Sequence, residues 1–132
     1  MVLIDTSIWI NVFKDKNGGY TSGLYQEVDG RDIVLTRFQQ LELLQGCRNE
    51  NEWQKLGEYL DGQDYVEMHP TTWQAAARIY FDLRKKGITI RNTVDCCIAQ
   101  IAMEHRILLI HDDRDFTVIG DYFPLQNQQW TG

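Results

Sequence analysis

The chain alternates short runs of consecutive apolar residues with longer segments in which apolar residues recur every three or four positions. The apolar runs at residues 2–4, 33–35 and 107–110 are typical of buried strands in a parallel sheet. The longer segments have the periodicity of amphipathic helices. We therefore predict a single α/β domain over residues 1–132, with a mainly parallel central sheet flanked by helices.

Capping residues and glycines set the expected helix boundaries. N-cap residues are predicted at the starts of three helices: Thr6 or Ser7, Thr36 and Thr93. The helices that follow the first two of these would bury Phe13 and Leu41, respectively. Further predicted elements are helices over residues 20–29, 51–60, 73–86 and 94–104, a helical turn over 116–119 and a brief strand over 65–68.

Composition narrows the class of protein. The apolar fraction of 43% and the charged fraction of 24% are those of a soluble globular domain. The sequence has no signal-peptide pattern and no apolar run near the ~20 residues that span a bilayer. Three cysteines without metal-site spacing are expected to be reduced thiols. We therefore expect a cytoplasmic protein without a membrane segment.

The net charge of −6 argues mildly against a nucleic-acid partner, because most nucleic-acid-binding proteins have a basic surface. This argument loses force if several acids hold divalent ions, since bound ions cancel local negative charge. Net charge alone therefore does not decide whether the protein binds nucleic acid. The positions of the acids along the chain are more informative.

Acidic residues follow the predicted strands or lie in the helices after them. They are Asp5, Glu42, Asp95, Asp112, Asp113 and Asp115. Ligands of open α/β sheets bind outside the carboxyl ends of the strands, where these side chains would meet. Acids brought together there would repel one another unless a divalent cation held them, and Mg²⁺ prefers such oxygen ligands. The pattern therefore favours metal-assisted hydrolysis of a phosphodiester.

Each acid also has a purely structural interpretation. Asp5 could cap the first helix, and Asp95 would interact favourably with a helix dipole. Glu42 is an ordinary helix former, and Asp115 could cap the last helical turn. His111 is either a neighbour of the site or a solvated turn residue. Only the joint arrangement of the acids after three apolar strands favours catalysis.

Four segments of the chain, LIDTSIWI, QLELLQG, NTVDCCIAQIA and LLIHDDRDF, resemble the acidic motifs of PIN-domain ribonucleases in order and spacing. Within that family, the chain is similar to the VapC toxins of type II toxin–antitoxin operons. The resemblance implies a Mg²⁺-dependent endoribonuclease, with Mn²⁺ as a substitute ion. It also implies a homodimer that is inhibited by a cognate antitoxin.

The resemblance assigns roles to particular residues. The catalytic acids would be Asp5, Glu42, Asp95, Asp113 and Asp115, of which all except Glu42 would bind metal. Thr6 and Ser7 would lie close to the metal, and Asp112 is the weaker candidate in its motif. Many relatives have a Pro-Asp-Ala-Asp-like run before the third acid, whereas this chain has Asn92-Thr93-Val94-Asp95. Because of this departure, the loop over residues 87–92 could contact the substrate differently from the loop of those relatives. The catalytic role of Asp95 is not affected, since this acid is retained.

Basic residues near these motifs are candidates for contacting RNA. Arg91 and Arg114 could bind phosphates, although a solvated surface arginine has the same sequence signature. The antitoxin is expected to dock an apolar segment around residues 9–24 and to bring an Arg or Lys towards Asp5 and Asp95. A nuclease without a toxin role, a Mg²⁺-binding phosphoacceptor receiver and a non-enzymatic PIN-like module remain as alternatives. The receiver would need a lysine after the last strand, and HDDRDF has none.

Overall fold

The computed structural model describes all 132 residues and consists of five strands and seven helices. In chain order, the elements are β1 (Val2–Ile4), α1 (Thr6–Phe13), α2 (Gly19–Val28), β2 (Ile33–Leu35), α3 (Arg37–Gln45), α4 (Glu50–Asp61), β3 (Asp64–Tyr65), α5 (Pro70–Lys85), α6 (Thr93–His105), β4 (Leu108–His111), α7 (Arg114–Tyr122) and β5 (Asn127–Gln129). No helix is both long and apolar enough to cross a membrane.

The strands form one sheet in the order β3-β2-β1-β4-β5, and every neighbouring pair is parallel. The central strand β1 pairs Leu3 with Val34 of β2 and with Leu109 of β4. Because all strands run in the same direction, their carboxyl ends lie at one edge of the sheet. The predicted α/β fold with a parallel central sheet is confirmed.

Helices cover both faces of the sheet, so the strands are buried on both sides, as continuous apolar runs require. Leu3 packs into a core with residues of α5, α6 and α7. Val2 and Ile4 point the other way, as alternation along a strand demands, and pack with residues of α1, α2 and α4. All three side chains of β1 are fully buried.

Two of the predicted N-caps are wrong. Asp5, rather than Thr6 or Ser7, caps α1, because its carboxylate accepts the backbone N–H of Ser7. Asn92 caps α6 in place of Thr93, since the Asn92 side chain accepts the N–H of Val94. The N-cap at Thr36 is confirmed, and it forms a capping box with Gln39.

Several element boundaries also differ from the prediction. Helix α5 begins at Pro70, because proline is well suited to the first turn of a helix. Strand β3 is shorter than predicted and ends at Tyr65, whereas α7 extends the predicted turn over residues 116–119 at both ends. Strand β5 was not predicted, because its sequence, NQQ, has no apolar residue.

Two side chains that were assigned to buried helix faces are instead exposed. Phe13 is 48% exposed and Leu41 is 61% exposed. Phe13 stacks at the surface against Trp9, with ring centroids 5.9 Å apart. Helical periodicity alone therefore did not separate core from surface at these two positions.

Candidate active site

The acids meet at the carboxyl edge of the sheet. Asp5 directly follows β1, and Asp113 and Asp115 follow β4 at the start of α7. Asp95 lies in the first turn of α6. One carboxylate oxygen from each of Asp95, Asp113 and Asp115 lies within 4.8 Å of the other two. These three residues, which we call the acid triad, could hold a metal ion between them.

Asp5 is held rigidly beside the triad. It is buried, and its Oδ2 accepts the Ser7 backbone N–H at 3.1 Å and the Ser7 hydroxyl at 2.7 Å. The same Ser7 oxygen accepts the Asp112 N–H at 3.1 Å. Ser7 therefore ties the end of β1 to the turn after β4. Burial raises the pKa of Asp5, and the charge on Asp113 raises it further, which places Asp5 within electrostatic reach of the triad.

Glu42 reaches the same edge from α3. Its Oε1 accepts the Thr6 hydroxyl at 3.1 Å, so Thr6 orients this carboxylate. Gln39, one turn earlier in α3, donates its side-chain amide to the Ile4 carbonyl and so fixes α3 against the end of β1. Partial burial raises the pKa of Glu42, and the Asp5 charge adds to this effect.

Asp95 is an acid whose ionisation is strongly disfavoured. It is 8% exposed and receives no hydrogen bond from another group of the protein. Burial, followed by the charges of Asp113, Asp5, Asp115 and Glu42, raises the pKa of Asp95 to about 8. All five predicted acids are therefore electrostatically coupled through Asp95. Perturbed carboxylates of this kind often mark functional sites.

Arg91 lies against two acids of the triad. Its Nη2 donates to Asp113 Oδ1 at 3.1 Å, and its Nε donates to Asp115 Oδ2 at 3.2 Å. Its backbone N–H also bonds to Asp115 Oδ2. Arg114, the other predicted phosphate-binding residue, is exposed at the first position of α7.

A buried histidine supports the loop that carries Asp113. His111 is fully buried, and its Nδ1 accepts the Asp113 N–H at 3.1 Å. Its Nε2 must then carry the proton, which it donates to Asn127 Oδ1 at 2.9 Å. The sequence left the role of His111 undecided and gave no sign of Asn127. The hydrogen bond between these two side chains depends on strand β5, which was not predicted. Asp112 is outside the triad, and its Oδ1 accepts a hydrogen bond from Gln129.

The donor set fits a hard divalent cation. Three converging carboxylates offer only oxygen ligands, which suit Mg²⁺ or Mn²⁺ rather than softer ions. The raised pKa of Asp95, which burial and then the charges of the neighbouring acids cause, shows that Asp95 itself has no positively charged partner. A cation in their midst would favour the ionised form of every one of them.

Comparisons with known proteins agree with this geometry. The family model described as "PIN domain" matches residues 2–122. The chain is 30% identical over 135 residues to the VapC ribonuclease Mb1587 of Mycobacterium bovis, with 96% of each chain covered. It is also 30% identical to ribonuclease VapC11 of Mycobacterium tuberculosis, again over 96% of each chain.

Solved structures share the fold. VapBC2 of Rickettsia felis, bound to a DNA fragment from its promoter, superposes with a TM-score of 0.78 at 20% identity, covering 99% of this chain and 100% of that one. VapBC-1 of nontypeable Haemophilus influenzae gives a TM-score of 0.77 at 24% identity, with 100% of both chains covered. The family match over most of the chain and the near-complete coverage of the curated relatives lead to one assignment. The chain belongs to the PIN-domain family and, within it, to the VapC ribonuclease toxins of toxin–antitoxin systems.

Proposed function

We propose that this chain is a Mg²⁺-dependent endoribonuclease and that its acids have the roles expected from the sequence. The observation that carries the proposal is the convergence of the Asp95, Asp113 and Asp115 carboxylates, which have oxygens within 4.8 Å of one another. The raised pKa of Asp95, to which Asp5 and Glu42 also contribute, supports it. Such a cluster is unfavourable without a cation and becomes favourable with one. Family membership leaves the receiver alternative without support.

Each side chain has a distinct part in this proposal. Asp95, Asp113 and Asp115 hold the ion, and Asp5 supports it from the end of β1. Mg²⁺, or Mn²⁺ in its place, would activate water and stabilise the charge that develops on the phosphate. Glu42 is suited to accept a proton from the attacking water, because its raised pKa makes it a better base than an ordinary glutamate. Thr6 and Ser7 orient Glu42 and Asp5 through their hydroxyls.

Cleavage assays on matched variants test this proposal. Asp5→Asn and Asp95→Asn should each lower RNA cleavage by about 100-fold or more, since each removes a charge that binds the ion. Asp64→Asn is the control, because Asp64 is an exposed acid on the edge strand β3. EDTA should abolish the wild-type activity, and Mg²⁺ should restore it. Full activity in Asp95→Asn, or cleavage in EDTA, would refute the assignment.

We also infer a cognate antitoxin as the partner of this chain. The expected docking surface around residues 9–24 needs one correction, because Trp9 and Leu24 are almost fully buried. The exposed apolar side chains there are Ile10 and Phe13 of α1, together with Tyr25 and Tyr59. Phe13 contacts Tyr59 edge to face, with ring centroids 6.0 Å apart, so α1 and α4 present a continuous aromatic surface.

Co-expression with the product of the neighbouring gene tests the toxin role. The two proteins should co-purify, and the complex should lack RNase activity until the partner is removed. Phe13→Ala should weaken the complex, whereas Trp53→Ala, which truncates another exposed aromatic side chain of α4, should not. If a fully active enzyme emerged uncomplexed from co-expression, the toxin role would be refuted, whereas the nuclease function would still stand.

A homodimer is the third part of the proposal. An apolar groove of about 360 Å³ is lined by Phe38 and Leu41 of α3, by Met68 in the segment before α5 and by Trp73 of α5. Trp73 is 58% exposed and meets Phe38 edge to face. A second copy of the chain would remove these side chains from water. Trp73→Ala should therefore shift the molecular mass in light scattering from dimer towards monomer, while Trp53→Ala should not. A monomeric wild type would refute the dimer.

A further inference from the structure

Arg91 is the only basic residue that forms ion pairs with the acids of the site. Its guanidinium bridges Asp113 and Asp115, with N–O distances of 3.1 and 3.2 Å. These are two of the three carboxylates that could hold the metal. The protein therefore places its own cation on the acids that are proposed to bind an external one.

The Arg91 side chain is free to leave this position. It is 74% exposed, and the two carboxylates are its only hydrogen-bonding partners. Its backbone N–H would still bond to Asp115 Oδ2 after the side chain moved. The orientation of Asp115 therefore does not depend on the guanidinium, and the loop need not rearrange for the side chain to swing away.

Two positive charges on the same pair of carboxylates repel each other. A divalent ion held by the triad would lie close to the guanidinium, and at such short range two positive charges repel each other even where water screens part of the interaction. An exposed ion pair such as that of Arg91 is weak and is readily given up. The ion is therefore expected to displace the guanidinium from the acids.

We propose that Arg91 is an internal counter-ion of the triad, which competes with the divalent ion and, when displaced, binds a phosphate of the RNA. The second half of this proposal rests on the proposed nuclease function. Arginine suits both positions, because its planar fork pairs equally well with carboxylates and with phosphates. Ion binding would then make Arg91 available to RNA, so that each ligand strengthens the binding of the other.

Binding of Mn²⁺ alone tests the first half without any measurement of activity. Isothermal titration of the metal-free protein with Mn²⁺ at about pH 8 compares the wild type with Arg91→Gln and Arg91→Lys. Arg91→Gln should bind Mn²⁺ about tenfold more tightly, since the competing charge is gone while the backbone contact to Asp115 remains. Arg91→Lys should stay close to the wild type, because it keeps the charge.

Arg48→Gln is the matched control for this titration. Arg48, just before α4, also pairs with a carboxylate, that of Glu52 in the first turn of this helix, at 2.7 Å and away from the site. The Arg48→Gln variant should bind Mn²⁺ with the same affinity as the wild type. Unchanged or weaker Mn²⁺ binding by Arg91→Gln would overturn the proposal, because it would mean that Arg91 holds the acids in position for the ion rather than competing with it.

Steady-state cleavage of a short RNA at saturating Mg²⁺ tests the second half. Arg91→Gln should raise KM about tenfold and leave kcat nearly unchanged, since a phosphate contact to the bound substrate is lost. A normal KM in Arg91→Gln would refute the RNA contact. If the wild type itself does not cleave RNA, the nuclease function fails, while the Mn²⁺ titration still decides whether Arg91 competes with the ion.

Discussion

Replacing Asp95 by asparagine should stabilise the metal-free protein at neutral pH, although it should also inactivate the enzyme. The carboxyl of Asp95 is buried, receives no hydrogen bond from the protein and lies near four other acids. Asparagine has nearly the same shape and carries no charge. Its amide can also donate hydrogen bonds to the neighbouring carboxylates, so the substitution should remove repulsion without leaving a cavity.

The size and sign of this effect follow from the pKa of Asp95, which folding raises from 3.8 to about 8. Between these values the folded state binds more protons than the unfolded state, so the free energy of unfolding falls as the pH rises. At 1.36 kcal/mol per pKa unit, the loss at pH 7 would be about 4 kcal/mol. Screening by water at the open side of the site lowers this figure, and we expect about 2 kcal/mol.

Urea unfolding in EDTA between pH 4 and pH 8 measures this difference. Asp95→Asn should differ least from the wild type near pH 4, which is close to the unfolded-state pKa of 3.8, so that little of the pH-dependent loss has yet developed. It should become steadily more stable than the wild type as the pH rises. Asp64→Asn should follow the wild type throughout, because Asp64 is exposed. An equal or lower stability of Asp95→Asn at pH 7, or a gain that does not depend on pH, would refute the reasoning.

Three further predictions concern the ion and the packing around the site. Mn²⁺ affinity, measured by titration, should rise up to about tenfold per pH unit below about pH 8, because the ion displaces the proton of Asp95; a flat pH profile would contradict this. Gln39→Ala should lower the free energy of unfolding by about 2–4 kcal/mol, since it leaves the Ile4 carbonyl and the Thr36 N–H unpaired in the core. Gly120→Ala should lower the free energy of unfolding by about 1–3 kcal/mol, because an added Cβ would lie 2.3 Å from Asn127 Nδ2. Helix propensity alone would instead raise the melting temperature, and such a rise would show that the Asn127 side chain moves away without cost.

The sequence was most informative for the strands that helices cover on both faces. Apolar runs identified β1, β2 and β4, because strands that are covered on both faces consist mainly of apolar residues. Strand β5 is a polar edge strand whose pairing with β4 depends on backbone hydrogen bonds, and these leave no pattern in the side chains. Phe13 and Leu41 were misplaced because periodicity gives the direction of an apolar face but not its width.

The same distinction applies to the site. The positions of the acids after strands indicated that they would meet, since parallel strands deliver their carboxyl ends to one edge. The sequence could not show that Arg91 reaches Asp113 and Asp115, because that contact depends on the path of the loop before α6. Nor could it show the support of Asp113 by His111 and Asn127, which depends on β5.

The structural and catalytic interpretations of these acids do not exclude each other. Asp5 caps α1, and both of its hydrogen bonds from Ser7 go to Oδ2. Asp115 likewise is held through Oδ2, and Glu42 through Oε1. In each case one oxygen fixes the carboxylate while the other is left to a ligand. Asp95 alone has no such support, so it retains the full electrostatic cost of its neighbours until a cation binds.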